Sequence, residues 1–308
     1  MNRRHFLSTS SAAILGATVS SSFGIGPINR KGKPRMMLGL AAYSFRDSMK
    51  WLKGGKPNTK LKEGDKGWEV FDFIDYCADH NCPGAELTSY FFPPDVDDKY
   101  LLEVRRHAYL RGVSISGTAV GNTFTHPKGE ERDKEIAYVK DWIDKAAVMG
   151  APHIRVFAGN VAKGSTTEEA EKNCLECYNE CLEHAAGKGV FLGLENHGGI
   201  VAEPEPLIRL IEATQNPWAG INFDSGNFKT ADPYADLVKI APYAINVQLK
   251  MTMRPNGDKV GEPVDIPRVI KILNDANYQG WFTLEYEDKE DPFVAVPKIF
   301  NELRPLLG

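Results

Sequence analysis

Past its first 25 residues the sequence has no apolar run approaching the ~20 consecutive residues of a membrane span. It also lacks a basic excess: 37 Lys and Arg stand against 41 Asp and Glu, the formal net charge is −4, and no basic stripe runs along the chain. A nucleic-acid partner therefore has little electrostatic support. Cysteine is scarce and odd in number, five in 308 residues, and a chain of this length needs no disulfide staples. Cys174, Cys177 and Cys181 recur at helical spacing within Lys172–Ala186. They could mark a metal cluster, but a buried helix stripe is the simpler reading, because free cysteine packs as a small apolar residue. No Gly-x-Gly-x-x-Gly follows the first strand-like run, where Leu40-Ala41-Ala42-Tyr43-Ser44-Phe45 stands instead. A dinucleotide fold loses its fingerprint there. No Gly-rich phosphate cradle, internal repeat beyond a βα unit, or low-complexity tract outside the N-terminus is present.

What the N-terminus does have is Asn2-Arg3-Arg4-His5-Phe6-Leu7, a short mild apolar run over Ala12–Val19, and then Ser20-Ser21-Ser22. This resembles a twin-arginine signal peptide. Residues 1–33 are expected to be signal and linker, and residues 34–308 one domain. The expectation is a periplasmic protein exported after folding by the twin-arginine machinery, with no membrane span once the signal is removed.

Along the rest, short strand-like runs alternate with amphipathic helical patterns. The strands are expected at Met37–Tyr43, Gly84–Thr88, Val113–Ala119, His153–Phe157, Val190–Glu195, Gly220–Asp224, Ala244–Leu249 and Trp281–Tyr286. Gly112, Gly150, Gly189 and Asn277 supply helix stop signals. Eight strand–helix units predict a parallel sheet with right-handed crossovers, closed into a single (β/α)₈ TIM barrel of the α/β class. Two loops would then lie on the catalytic face. Trp51–Gly67 reads as a mobile flap or a solvated insertion, and Ser89–Pro94 as a sugar-shielding aromatic wall or packing under a loop.

The last four strand-like runs end alike, in Gly193-Leu194-Glu195, Asn222-Phe223-Asp224, Val247-Gln248-Leu249 and Thr283-Leu284-Glu285. In a barrel such ends converge on one mouth. Three carboxylates crowded together repel unless a cation compensates them. The set Glu195, Asp224, Gln248 and Glu285 is all-oxygen, which favours Mn²⁺ or Mg²⁺, with Co²⁺ or Zn²⁺ as alternatives.

This pattern resembles the xylose-isomerase-like TIM barrels, a superfamily that includes ketose 3-epimerases, inosose dehydratases and endonuclease IV. The resemblance covers essentially the whole chain after the signal, and its specific part is the strand ends. Ketose 3-epimerases read Glu, Asp, His, Glu at these positions, so Gln248 replaces a histidine here. Arg254 matches the family's arginine six residues beyond that ligand, whereas Asn227 stands where the epimerases have a histidine. Endonuclease IV matches poorly, because its three-zinc site needs several histidines and few lie at strand ends here.

The resemblance implies chemistry at a carbon next to a carbonyl, through an enediolate. Glu195 and Glu285 are the expected proton-transferring pair, and Glu287 shares the face of Glu285, so those two roles could be exchanged. His197, on the face of Glu195, could be an acid/base, a substrate partner or a group that orients a carboxylate. Lys250 could neutralise an alkoxide or pair with a carboxylate. Glu86, His126, Arg155 and Arg254 are the remaining candidates for substrate binding, with ion pairing or ordinary loop roles as alternatives. The expected activity is isomerisation or epimerisation of a non-phosphorylated sugar or glycoside. The alternatives are a lyase or dehydratase on a keto-sugar, keto-glycoside or inosose, and a non-catalytic sugar-binding barrel. A homo-oligomer stays open.

Overall fold

The computed structural model describes residues 25–307, and the signal-peptide reading of residues 1–24 lies outside the described residues. Eight strands form the barrel: β1 (Arg35–Ala41), β2 (Gly84–Thr88), β3 (Ser114–Ala119), β4 (His153–Val156), β5 (Phe191–Glu195), β6 (Ala219–Asp224), β7 (Ala244–Leu249) and β8 (Gln279–Leu284). All neighbours pair in parallel, and β8 meets β1 to close the ring. The helices α1 (Val70–Asp79), α2 (Asp98–Leu110), α3 (Glu130–Met149), α4 (Thr167–Lys188), α5 (Pro204–Glu212), α6 (Pro233–Ile240), α7 (Ile266–Asp275) and α8 (Pro292–Leu307) follow their strands in order. The fold is a single (β/α)₈ barrel.

Local chemistry fixes the element ends. At the start of α4 the Thr166 hydroxyl accepts from the Glu169 N–H, and the Glu169 carboxylate accepts from the Thr166 N–H. This reciprocal cap satisfies two otherwise orphaned donors. The helix stops at Gly189, whose left-handed backbone (φ 71°) suits a residue without Cβ. Along α4, Cys174, Cys177 and Cys181 are buried and free, packed against the barrel as the apolar stripe their spacing indicated.

Residues 25–34 run beneath the barrel and are tied to it. The Ile25 and Ile28 N–H groups donate to Thr214 and Pro242 carbonyls, and Arg30 donates to the Ala244 carbonyl. The Trp51–Gly67 loop opens with a short hairpin and is otherwise mostly exposed, a solvated insertion pinned at Asn58. Trp51–Leu52 pairs with Lys56–Pro57, and the buried Asn58 amide donates to the Asp47 and Met49 carbonyls.

The barrel interior is more polar than its strand-like runs indicate. Glu86, His153, Arg155, Asn222, Asn246, Gln248 and Thr283 are all buried. Gly117 leaves room for the His153 ring, because a Cβ there would fall within 2.0–2.6 Å of it. One register slip shapes this layer. Between Ile221↔Ala244 and Asn222↔Asn246, β7 gains a residue on β6, which sets Asn222 beside Asn246. Such bulges re-aim side chains next to functional sites.

Candidate active site

Because every strand points the same way, the C-terminal ends of β5 to β8 form one mouth. Glu195 and Asp224 are the last residues of β5 and β6, while Glu285 lies one residue beyond β8. Glu195 and Glu285 line a cavity of ≈ 200 Å³ together with Tyr43, Tyr90, Arg155, Phe157, His197, Asn227, Lys250 and Glu287. A larger cavity of ≈ 460 Å³ lies between residues 44–48 and 60–65, which flank the short hairpin, and the 286–293 loop. It is walled by loop charges and by Phe45, Tyr286 and Phe293, and none of the strand-end carboxylates reaches it. The smaller cavity is where the chemistry gathers.

Glu195 is held on both oxygens. Oε1 accepts from the Asn227 amide at 2.9 Å, and Oε2 accepts from the Asn222 amide at 3.0 Å. Arg155 Nε lies 2.9 Å from Oε2, an electrostatic contact because the N–H is not aligned for a hydrogen bond. Arg155 is fixed in turn by donating to the Val120 carbonyl and by stacking 4.0 Å over Phe157. Glu285 pairs with Lys250 at 2.5 Å, and the same ammonium contacts Glu287 and lies 3.5 Å from Asp224 Oδ2. Asp224 Oδ1 accepts from the Gly226 N–H, whereas Oδ2 is buried without a hydrogen-bond partner.

Burial pushes Glu195 up to about 8 against the opposing pull of Arg155, and it likewise lifts Asp224, to about 7, against that of Lys250. Burial would also raise Glu285, but the Lys250 ammonium outweighs it and holds that carboxylate below its ordinary value. Burial, with help from Arg155 and Lys250, lowers His197 to about 4, so its ring is neutral near pH 7. That ring stacks on Phe157 at 4.2 Å between centroids.

Several side chains singled out in the sequence, like Asp224, do not line that cavity. Gln248 projects below the mouth: its carbonyl oxygen accepts from Asn222 and its amide donates to Glu86 at 2.9 Å. Glu86 is wholly buried and also accepts from Asn246, so it serves this interior network and does not line the cavity. His126 is half-buried in the β3–α3 loop, away from the cavity lining. Arg254 is exposed on a hairpin (Thr252–Met253 with Glu262–Pro263) and donates to the Lys259 carbonyl. The Ser89–Pro94 segment divides: Tyr90 walls the cavity, while Phe91 and Phe92 are buried in the core.

Asn222, Tyr43 and Phe157 join the site without having been expected there, whereas Tyr90 belongs to the expected Ser89–Pro94 aromatic wall and Asn227 stands where the epimerases have a histidine. Asn222 carries a readable signal, since it lies two residues before Asp224 and shares its face. Tyr43, Tyr90 and Asn227 lie on βα-loops, where side-chain direction leaves no periodic trace, whereas Phe157 lies two residues beyond Arg155 on the same face.

Residues 74–303 match the family model described as "Xylose isomerase-like TIM barrel". The chain belongs to that family. Within its wider circle, the inosose dehydratase of Clostridium perfringens (strain 13 / Type A) is 22% identical, over 78% of this chain and 93% of its own. The 3-keto-D-glucoside 4-epimerase YcjR of E. coli superposes with a TM-score of 0.64 at 15% identity, covering 88% of this chain and 100% of its own. A xylose isomerase-like barrel from Mycobacterium smegmatis in complex with magnesium superposes at 0.65 and 17% identity, covering 89% and 96%. These structural likenesses establish the shared barrel.

A divalent cation of the kind bound by that magnesium complex can be tested against the residues here. The donor chemistry fits: Glu195, Asp224 and Glu285 offer hard anionic oxygens, and the orphaned Asp224 Oδ2 has an unused lone pair. The Gln248 carbonyl keeps a second lone pair beyond its bond from Asn222. Among the described residues no three His, Cys, Asp or Glu side chains stand in a metal-holding arrangement. The Lys250 ammonium lies between the carboxylates instead.

Proposed function

We propose that this protein is a divalent-metal-dependent sugar isomerase or epimerase that moves a proton at a carbon next to a carbonyl. The observation that carries the reading is the pair Glu195 and Glu285, both buried and both lining one small cavity. One takes the proton from the carbon and the other returns it, or delivers it to the neighbouring oxygen. Asn227, Asn222 and Arg155 lock the Glu195 carboxylate in place, so no reorganisation is needed as charge moves. Tyr43, Tyr90 and Phe157 wall the cavity from water.

Glu195, Asp224 and Glu285, with Gln248 as the fourth oxygen donor, would hold the cation, for which Mn²⁺ is the first choice. Bound there, it would polarise the substrate carbonyl and stabilise the enediolate.

The substrate reading rests on size and charge. At ≈ 200 Å³ the cavity falls below the ~300–1,000 Å³ of sites for drug-sized ligands, which favours a single sugar unit. Arg155 and Lys250, the cations lining it, already face carboxylates, so no free cation is offered to a phosphate. A free sugar or glycoside follows. Export through the Arg3-Arg4 signal belongs to the same reading, with residues 1–33 as signal and linker before the enzyme domain, since phosphorylated sugars are scarce outside the cytoplasm.

A lyase acting on a keto-sugar or inosose is the second reading. The observation favouring it is the likeness to inosose dehydratases over 78% of the chain.

Incubation with free ketoses, keto-glycosides and inososes in the presence of Mn²⁺ separates the two by product mass. An isomer of unchanged mass is the expected product. Loss of water or of an aglycone would assign the lyase reading, and tight binding with no product at all would leave a sugar-binding barrel.

A further inference from the structure

Lys250 stands one residue beyond β7, and its stem lies directly against Gly226: a Cβ on that glycine would fall 2.7 Å from Lys250 Cβ and 2.8 Å from its Cγ. The missing side chain lets the stem run alongside Asp224. The ammonium then meets Glu285 at 2.5 Å, Asp224 at 3.5 Å and Glu287 as well. Two of these three carboxylates are donors for the proposed cation, and the third is not.

An ammonium and a divalent ion cannot share Asp224 and Glu285. Two positive charges a few ångströms apart repel by roughly 4 kcal/mol per unit product of charge at an effective dielectric near 20.

We infer that Lys250 is a built-in counter-ion that holds Asp224 and Glu285 together in the metal-free chain, competes with the divalent ion for them, and withdraws to Glu287 when the ion binds. Glu287 suits that role because its side chain is 37% exposed, against 6% for Glu285 and 0% for Asp224. Both Lys250 and Glu287 line the cavity, and a flexible four-carbon stem allows the exchange of partners.

Charge balance keeps the ammonium inside. Glu195, Asp224, Glu285 and Glu287 present four negative charges when ionised, and Arg155 and Lys250 two positive ones. A divalent ion neutralises the cluster only if Lys250 stays. The withdrawn ammonium would then face the sugar. This inference rests on the metal reading above.

Mn²⁺ titration of the chelator-stripped full chain, followed by the electron paramagnetic resonance signal of free Mn²⁺, tests it. Lys250→Met is expected to bind Mn²⁺ about ten- to a hundredfold more tightly than the parent. Lys250→Gln serves as a second variant, and thermal melts check the fold of each. Glu287→Gln, which removes the berth, is expected to bind about tenfold more weakly, and its effect should shrink markedly in the Lys250→Met background. Unchanged or weaker binding in both lysine variants would overturn the inference while leaving the metal reading intact. No Mn²⁺ binding in the parent or either lysine variant would overturn both.

Discussion

Glu285→Gln is expected to lower kcat by about 10²–10⁴-fold while the chain stays folded, the usual loss when a proton-transferring carboxylate becomes an amide. Lys250 retains Asp224 and Glu287 in that variant, so its charge is still compensated. Glu195→Gln should lose a comparable amount of activity and also some stability. Arg155 then keeps a buried guanidinium without its nearest carboxylate. Steady-state kinetics and thermal melts on the two variants check the contrast. Full activity in either one would remove that residue from the mechanism, and equal melting temperatures would mean that the Arg155 pair carries no stability.

The second large effect is structural. Arg155→Met should destabilise the barrel by at most about 3–5 kcal/mol, the typical cost of leaving half of a buried ion pair alone, and by less below pH 8, where the buried Glu195 carboxyl takes up a proton instead. Arg155 is 5% exposed and Glu195 2%, so solvent does little to screen the loss. The double variant Arg155→Met/Glu195→Leu should recover much of it, since removing both charges also removes the desolvation cost. Urea denaturation of the parent, the single and the double variant measures this directly. A double variant less stable than Arg155→Met would mean that Glu195 is held by its amide partners rather than by the guanidinium.

The barrel was legible because its signals are local and repeat. Alternating apolar runs and Gly or Asn stops recur along the chain, and the strand ends at Glu195 and Asp224 fall where the sequence puts them. β8 ends at Leu284, two residues earlier than its β-like run, so Glu285 sits on the loop just beyond. By the period of two, His197 shares the face of Glu195 and Lys250 that of Gln248, and both line the cavity.

Other features depend on contacts between distant segments. The inward direction of Gln248 could be read, but its depth could not. It joins Glu86, 162 residues away, and an asparagine set beside its own strand by the slip between β6 and β7. The offset of Arg254 from Gln248 matches the family pattern, yet the hairpin it stands on turns its guanidinium to the Lys259 carbonyl. The aromatic wall was half readable. Tyr90 and Phe91 are sequence neighbours, and only the path of the loop decides that one lines the cavity and the other fills the core.

The claim that Glu195 and Glu285 move a proton at a carbon beside a carbonyl is tested most directly by solvent exchange. Keto-sugars incubated with the Mn²⁺-supplemented protein in D₂O are followed by proton NMR, beside the Glu195→Gln/Glu285→Gln double variant. The account predicts loss of the signal of the proton next to the carbonyl in at least one keto-sugar with the parent chain, and none above background with the variant. Exchange that persists undiminished in the variant, or sugars that bind and turn over without any exchange, would contradict it.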